Sequence, residues 1–268
     1  MKYTILYVIF FTPIIVVSQN INRGHINYRI SKYEKLIDSA ASKEDNQQYN
    51  AALLDCNEAI QLNVKGDFAY YLRATAEGFV QDYDRALTDI DRAILLNSKM
   101  PIYYAERASI YWHSAKPENN FKALEDFNTA IQKATNGYWS DDLHVIYFNR
   151  ATFKQDQLDF KGSLKDCNLL ISKFSTKMKL QTLCNSYTLR ALVKLKLNDF
   201  KGAVDDCDNA IELKPGNDYE PYLTRGKAKF ILRDLTAIDD LKKAQELYYS
   251  EFKSKNSDIE SAIADYYK

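Results

Sequence analysis

The chain has 268 residues, of which 36 are Lys or Arg and 36 are Asp or Glu, so its formal net charge is zero. Hydrophobic residues make up 46% of it, enough for a folded core. A chain with balanced charge exerts no general attraction on nucleic acid or on acidic lipid. Composition therefore argues against nucleic acid as a partner, and any membrane association is expected to occur only through partners.

The N-terminus has the pattern of an export signal. Lys2 precedes an apolar run from Tyr3 to Val17, and small or modest side chains follow where signal peptidase would cut before Gln19. The run has about 15 residues, fewer than the roughly 20 that a membrane-spanning helix needs. We predict that residues 1–18 are a signal peptide and that the protein is exported, to the periplasm, the cell envelope or the medium. An uncleaved anchor is the alternative.

Residues 19–32 are polar and show no periodic pattern. They are expected to form a flexible lead-in to the folded part of the chain.

One phrase then occurs five times: a Tyr, two variable residues, an Arg and a small residue. Successive Arg residues of this phrase are 34, 43, 40 and 35 positions apart. Self-similarity on such a period predicts a stack of repeated units. The copies are Tyr70/Arg73/Ala74, Tyr104/Arg107/Ala108, Tyr147/Arg150/Ala151, Tyr187/Arg190/Ala191 and Tyr222/Arg225/Gly226.

A second phrase follows each copy and indicates the secondary structure. After Tyr83, apolar side chains stand at Ala86 and at the positions one, four, seven and eight residues after it. These positions form one face of an α-helix. Short polar breaks such as Gln81-Asp82 separate the two phrases. Each repeat is therefore predicted to be a pair of antiparallel helices.

These two phrases resemble the tetratricopeptide repeat (TPR) family. The second-helix pattern of that family matches Ala86/Ile90, Ala123/Phe127 and Ala203/Cys207, with Ser163/Cys167 as a variant. The resemblance covers about residues 33–251 and implies an all-α, right-handed α-solenoid of about six helix-turn-helix repeats. The expected repeats are 33–66, 67–100, 101–137, 144–177, 184–217 and 219–251. Pro215 alone occupies the position of the proline that often closes a repeat, and extra residues lie near Ala115 to Asn120.

A capping helix is expected at residues 256–268. Ser257 and Glu260 have the spacing of a capping box, and Ile259, Ile263 and Tyr266 fall on one helical face.

Most of the recurring residues are expected to serve packing. The small residue after each Arg lets two helices approach closely, and a larger side chain there would overpack the contact. The repeated Tyr residues are predicted to pack between helices, and the repeated Arg residues to form structural ion pairs or hydrogen bonds.

Four cysteines invite a disulfide hypothesis. Cys56, Cys167 and Cys207 occupy equivalent positions in different repeats, roughly 10 Å apart, which is too far for a disulfide. They are expected to be buried free thiols. Cys184 is the candidate for a reactive or pairing thiol.

Catalysis finds no support in the sequence. His25, His113 and His144 stand far apart, no glycine-rich phosphate loop exists among eight glycines, and nucleophile, base and orienting group are not brought together. We predict that the protein is not an enzyme and has no metal or cofactor.

The resemblance also implies where a partner would bind. In TPR proteins the first helices of the repeats line a concave groove, and apolar or aromatic residues dominate the corresponding positions here. The predicted partner-binding residues are Phe68, Tyr71, Phe79, Trp112, Phe148, Asn149 and Gln155. The alternative is that neighbouring helices cover some of them. The Lys and Asn residues with which some members hold a terminal carboxylate are absent, since Ile37, Ala41, Leu72, Ile102 and Glu106 stand in their places.

The expected function is that of an exported, non-catalytic scaffold that binds a protein or peptide segment. A structural or assembly subunit of a cell-envelope complex, or a carbohydrate-binding accessory protein, are the alternatives. The sequence does not indicate the oligomeric state.

Overall fold

The structure is a computed structural model that describes residues 24–135, 143–213 and 218–267. These residues form α-helices and one 3₁₀ turn, Pro117–Asn119, and contain no strand. The helices are α1 Gly24–Asp45, α2 Tyr49–Leu62, α3 Asp67–Phe79, α4 Tyr83–Leu96, α5 Pro101–His113, α6 Asn120–Thr135, α7 Leu143–Asp156, α8 Phe160–Phe174, α9 Leu180–Lys196, α10 Phe200–Leu213, α11 Glu220–Ile231, α12 Ala237–Phe252 and α13 Ser257–Tyr266. The expectation of an all-α fold is confirmed.

The chain divides into two compact units. The first unit ends at Ile146 and the second begins at Tyr147, so the boundary falls inside α7. In the first unit each helix packs on the next along the chain, from α1 to α6. In the second unit α8 to α13 do the same.

The turn inside each hairpin contains one residue in the left-handed backbone region. These residues have φ between 59° and 65° at Gln47, Gln81, Leu158, Asn198 and Arg233, and 54° at Ala115. Such a residue ends a helix because it allows backbone N–H groups to turn back onto the last free carbonyls. The backbone N–H of Asp159, for example, donates to the carbonyl of Lys154 at 2.8 Å.

The residue that follows the left-handed one often caps the N-terminus of the next helix. The Asp159 side chain accepts a hydrogen bond from the backbone N–H of Gly162 at 2.9 Å, and Asp199 accepts one from Gly202 at 3.0 Å. An aspartate in this position satisfies an N–H group that the new helix would otherwise leave without a partner. One short turn therefore ends the first helix of the hairpin and caps the second.

The Arg of each repeated phrase joins the two helices of its hairpin. Its guanidinium donates two hydrogen bonds, of 2.5 to 2.9 Å, to one aspartate of the second helix. The pairs are Arg73–Asp89, Arg107–Asp126, Arg150–Asp166, Arg190–Asp206 and Arg225–Asp240. The prediction that these Arg residues are structural partners is confirmed.

The same guanidinium also reaches the preceding hairpin. Arg190 Nη1 donates to Asn168 at 3.1 Å, and Arg225 Nη1 pairs with Asp208 at 2.5 Å. The Tyr three positions before the Arg lies beneath it, with the guanidinium 5.4 to 5.7 Å from the ring centre in all five copies. Each phrase therefore holds its own hairpin together, and at several positions also attaches it to the hairpin before.

The small residue of the phrase is packed as predicted. Ala74, Ala108, Ala151 and Ala191 are fully buried. At Gly226 an added Cβ would lie 2.8 Å from Leu241 Cδ2 and 3.2 Å from the Ala237 carbonyl oxygen. Glycine is needed there because α12 approaches more closely than an alanine allows.

All four cysteines are free and buried. The expectation for Cys56, Cys167 and Cys207 is confirmed, and burial raises the pKa of the Cys167 thiol to about 12. The expectation that Cys184 is reactive is wrong, because its side chain is buried and its Sγ lies 3.4 Å from the carbonyl oxygen of Ala210.

Two predicted boundaries need correction. The prediction of a flexible lead-in is wrong for residues 24–32, because α1 already begins at Gly24. Lys32 of α1 pairs with Glu58 of α2 at 2.6 Å. At the other end, the residue that caps α13 is Asn256 instead of Ser257: its side chain accepts from the N–H groups of Asp258 and Ile259. The predicted signal peptide and Pro215 lie outside the described residues.

Candidate partner-binding face

The first helices of the hairpins form one side of each unit, which we call the first-helix face. In the first unit α1 contacts α3 and α3 contacts α5; in the second unit α9 contacts α11. Side chains that point away from the second helices therefore lie next to one another on neighbouring first helices. This side is where the predicted partner-binding residues are found.

Three of the predicted aromatic residues in the first unit keep part of their surface exposed. Phe68 on α3 packs at the edge of the core, and Phe79 stacks on Tyr49 with ring centres 4.2 Å apart. Trp112 on α5 lies against His113, with ring centres 4.3 Å apart. These aromatic groups are held by neighbouring rings, so they are already ordered without a partner.

Tyr71 is different, and its prediction as a partner contact is wrong. Its side chain is only 1% exposed and lies between Phe68 and Tyr103, with ring centres 5.3 and 5.2 Å away. The register places Tyr71 on the first-helix side of α3, but Phe68 and Tyr103 of α5 cover its ring. It supports the face from beneath instead of contacting a partner.

The second unit carries the remaining predicted residues. Phe148, Asn149 and Gln155 are partly exposed on α7. Phe148 also packs against a core cluster that contains Cys167 and Leu189. Its ring therefore contributes to the stability of the unit, as the alternative of partly covered groove residues allowed.

A cavity of about 420 Å³ opens between α9, α11 and α13 of the second unit. Its walls combine apolar groups, such as Leu195 and Phe230, with charged groups that include Lys227 and Asp258. The Lys227 ammonium and the Asp258 carboxylate lie 2.6 Å apart, so α13 is tied to α11 beside this cavity.

Two acidic residues of the first-helix face were not predicted. Glu44, in the last turn of α1, is 5% exposed, and neither of its carboxylate oxygens has a hydrogen-bond partner. Burial raises its pKa well above the usual range, and the charges of Glu106 and Asp45 raise it further. Burial raises the pKa of Glu106, on α5, to about 7, and a hydrogen bond with the Thr75 side chain opposes this shift.

Another carboxyl with a raised pKa lies between the helices of the second hairpin. Glu77 on α3 is 7% exposed and its Oε2 has no partner. Burial and the neighbouring Asp89 raise its pKa to about 7, while Arg73 acts in the opposite direction.

The described part of the chain contains no evident metal centre. No group of three or more His, Cys, Asp or Glu side chains there could hold a metal ion. His113 Nδ1 lies 2.6 Å from the carbonyl oxygen of Ser109, and burial lowers the pKa of its imidazole to about 4. Among the same residues, no helix combines the length and the hydropathy that crossing a bilayer requires.

Comparison with known proteins identifies the architecture. No protein-family model and no curated protein matches the sequence. Among solved structures, PilW, described as a widely conserved type IV pilus biogenesis factor, is 11% identical with a TM-score of 0.69, over 86% of this chain and 98% of PilW. PilF of Pseudomonas aeruginosa is 10% identical with a TM-score of 0.70, over 88% of this chain and 99% of PilF.

YrrB, a TPR protein with an unusual peptide-binding site, is one of several similar structures whose descriptions state the repeat type. It is 16% identical with a TM-score of 0.54, over 73% of this chain and 93% of YrrB. This chain has the tetratricopeptide-repeat fold. Its six TPR hairpins are α1/α2 to α11/α12, and α13 follows the last of them.

The TPR register assigns Glu44 a defined position in the first repeat. Glu44 lies four residues after Ala40, as Trp112 lies four residues after Ala108, so the two residues occupy equivalent positions of the first and third repeats. The first repeat lacks the Tyr and Arg of the recurring phrase, so the sequence marks its register less clearly. The visible signal is an acidic residue where the third repeat has an aromatic one.

Proposed function

We propose that this TPR protein is an exported, non-catalytic scaffold that binds a protein or peptide segment on its first-helix faces. The observation that carries the proposal is the set of ordered, partly exposed aromatic side chains in the first unit: Phe68, Phe79 and Trp112. Exposed aromatic groups contribute much of the binding energy at interfaces, because they bury a large area and lose little side-chain freedom.

Binding would proceed by apolar anchoring. A segment lying across α3 and α5 buries its apolar side chains against Phe79 and Trp112, while Tyr71 keeps the aromatic layer in place below. In the second unit, Asn149 and Gln155 offer hydrogen-bonding groups beside Phe148. The peptide-binding site named for YrrB supports a peptide as the class of ligand for this fold.

A role in assembling an envelope complex is the second candidate. It is favoured by the likeness to PilW, a type IV pilus biogenesis factor, which extends over nearly all of that protein. In this case the partners would be structural subunits, and they would bind on surfaces other than the first-helix face.

The test is affinity capture from the source cells with the full chain as bait, followed by mass spectrometry. Trp112→Ala should lose the partners captured by the wild type and reduce affinity for them by about 2 kcal/mol. Phe121→Ala, which truncates an aromatic side chain that is 75% exposed on α6, is the matched control and should retain them. Loss with Phe121→Ala and retention with Trp112→Ala would favour the assembly role.

Export is proposed from the sequence of residues 1–18. If this segment is a cleaved signal, the exported protein begins near Gln19. Mass analysis of the N-terminus of the exported protein checks this, and an intact Met1 would favour an anchor.

A further inference from the structure

Glu44 is buried in an environment that disfavours its charge. Both carboxylate oxygens lack a hydrogen-bond partner, and the residue lies in the last turn of α1. A helix C-terminus carries a partial negative charge, so it repels a carboxylate placed there. Burying an unpaired carboxylate is costly unless a cation or hydrogen-bond donor balances it.

A second carboxyl, that of Glu106, lies close enough to Glu44 to interact with it. The two residues are on α1 and α5, and both act on the hydroxyl of Tyr71, on the intervening α3. The charged groups that act on Glu44 are Glu106 and Asp45, both acidic. Two carboxyl groups thus share one side of the first unit.

Three basic residues on these helices bind acidic partners other than Glu44 and Glu106. Lys43 Nζ lies 2.5 Å from Asp55 on α2. Arg73 and Arg107 bind Asp89 and Asp126 on the second helices of their own hairpins. These cations are used to hold hairpins together and are directed away from Glu44.

We propose that Glu44 and Glu106 together bind a cationic side chain, Arg or Lys, of the bound segment. The proposal rests on the proposed function and specifies its partner as a segment that combines apolar anchors with one basic residue. The cation enters past Glu106, whose side chain is partly exposed, and reaches the covered oxygens of Glu44. An organic cation fits better than a metal ion, since the described residues bring no group of three ligating side chains together here.

The probe is a set of immobilised pools of 12-residue peptides with mixed uncharged residues and one fixed central residue. The fixed residue is Arg, Lys, Glu or citrulline, the last being neutral and similar in shape to Arg. Binding of the full chain is measured as the half-saturating protein concentration in each pool. We expect the Arg and Lys pools to bind at least about tenfold more tightly than the citrulline pool, with the Glu pool weakest.

The double variant Glu44→Gln, Glu106→Gln should abolish this preference and leave binding to the citrulline pool unchanged. Glu118→Gln, Glu125→Gln is the matched control: it removes the same charge from two exposed positions of the first unit and should keep the preference. Circular dichroism verifies folding, and Glu106→Gln alone, which leaves the buried Glu44 untouched, should weaken the preference by at least about threefold.

Each remaining outcome overturns the inference. Equal binding to all pools would leave the proposed function standing without the cation site. A preference that survives the Glu44/Glu106 double variant, or that the control also loses, would assign the effect to other acidic residues. If no pool binds the protein, both the cation site and the proposed function are wrong.

Discussion

Each hairpin from the second onward contains one buried aspartate that its repeat arginine binds. The residue four positions after that arginine decides whether the aspartate has a second charged neighbour. This residue is Lys in three repeats, where its ammonium also binds the aspartate: Lys154–Asp166 and Lys194–Asp206 at 2.8 Å, and Lys229–Asp240 at 2.9 Å. In the second repeat the residue is Glu77, which faces Asp89. The second hairpin therefore has two carboxyl groups where the fourth, fifth and sixth have a carboxyl and an ammonium.

Glu77→Lys should stabilise the protein. The new ammonium would bind Asp89 as Lys194 binds Asp206, and the unpaired Oε2 of Glu77 would be removed. We expect the free energy of unfolding at pH 8 to increase by about 1 to 3 kcal/mol, measured by urea denaturation. Glu77→Gln, which removes the charge without adding a cation, should give a smaller gain; a loss of stability in both variants would contradict this account.

The pKa of Glu77 also predicts how stability depends on pH. Its carboxyl has a pKa of about 7 in the folded chain against a reference value of 4.5, so the folded state binds the proton more tightly than the unfolded state. The stability that this proton contributes is fully present below pH 4.5 and is lost as the pH rises through about 7. The advantage of Glu77→Gln over the wild type should therefore be largest at pH 8 and decrease towards pH 4. An advantage independent of pH would show that Glu77 does not titrate in this range.

The lysines that also bind these aspartates predict that removing different repeat arginines will cost different amounts of stability. Arg107→Met leaves Asp126 buried, and the third repeat has Tyr111 where the later repeats have Lys. Arg190→Met leaves Asp206 bound to Lys194 at 2.8 Å. Breaking a buried pair costs about 3 to 5 kcal/mol when the remaining charge is uncompensated. We expect Arg107→Met to approach that loss and Arg190→Met to cost less, measured by thermal and urea unfolding; equal losses would mean that Lys194 does not compensate.

At the scale of the elements, the turns carry a strain that the sequence pattern does not reveal. The sequence predicted polar breaks of suitable length, but not that each contains a residue with positive φ. Leu158 has φ of 61° and is 73% exposed. A branched apolar residue is unfavourable in this conformation, whereas Asn, as at Asn198 with φ of 64°, is tolerated.

Leu158→Gly should therefore stabilise the protein, by about 0.5 to 1 kcal/mol, because glycine adopts positive φ without strain. Asn198→Gly, in the equivalent turn, should change the free energy of unfolding less, because Asn already tolerates this conformation. Differential scanning calorimetry of the two variants tests the comparison. A larger gain at Asn198 than at Leu158 would contradict the strain argument.

The chain-end elements show where local pattern is least informative. The helix at the C-terminus was predicted from its apolar face, yet the residue that caps it, Asn256, precedes the predicted Ser257. Both are good capping residues, and the choice depends on the backbone entering the helix. Similarly, residues 24–32 carry no apolar period, and the helix there is supported by contacts with α2 such as Lys32–Glu58.

At the scale of the whole molecule, contacts within each unit run mainly between helices that are neighbours in sequence. Stability should then be distributed locally, and unfolding should depart from a single two-state transition. Ala151 is fully buried at the close approach of α7 and α8, where Ser163 Oγ donates to its carbonyl at 2.8 Å.

Ala151→Leu should overpack this contact and cost roughly 1 to 3 kcal/mol. Amide hydrogen exchange should show the loss of protection in α7 and α8, with the amides of α3 and α4 little changed. Leu95→Ala, at a position that is 73% exposed on α4, is the control and should have little effect. A neutral effect of Ala151→Leu would mean that the repeat register is wrong.

The sequence by itself determined the repeated helical hairpins and the packing role of the Tyr, Arg and small residues, because these depend on a 3.6-residue period and on spacings repeated along the chain. The tertiary structure alone decided which aromatic residues remain open to a partner. Tyr71 and Phe79 lie on the same helix, but only Tyr71 is enclosed, since Tyr103 of α5, about 30 residues later in the chain, packs against its ring. It also brought Glu44 and Glu106, two residues more than 60 positions apart in the chain, into interaction. Burial depends on such distant neighbours, and no local pattern encodes it.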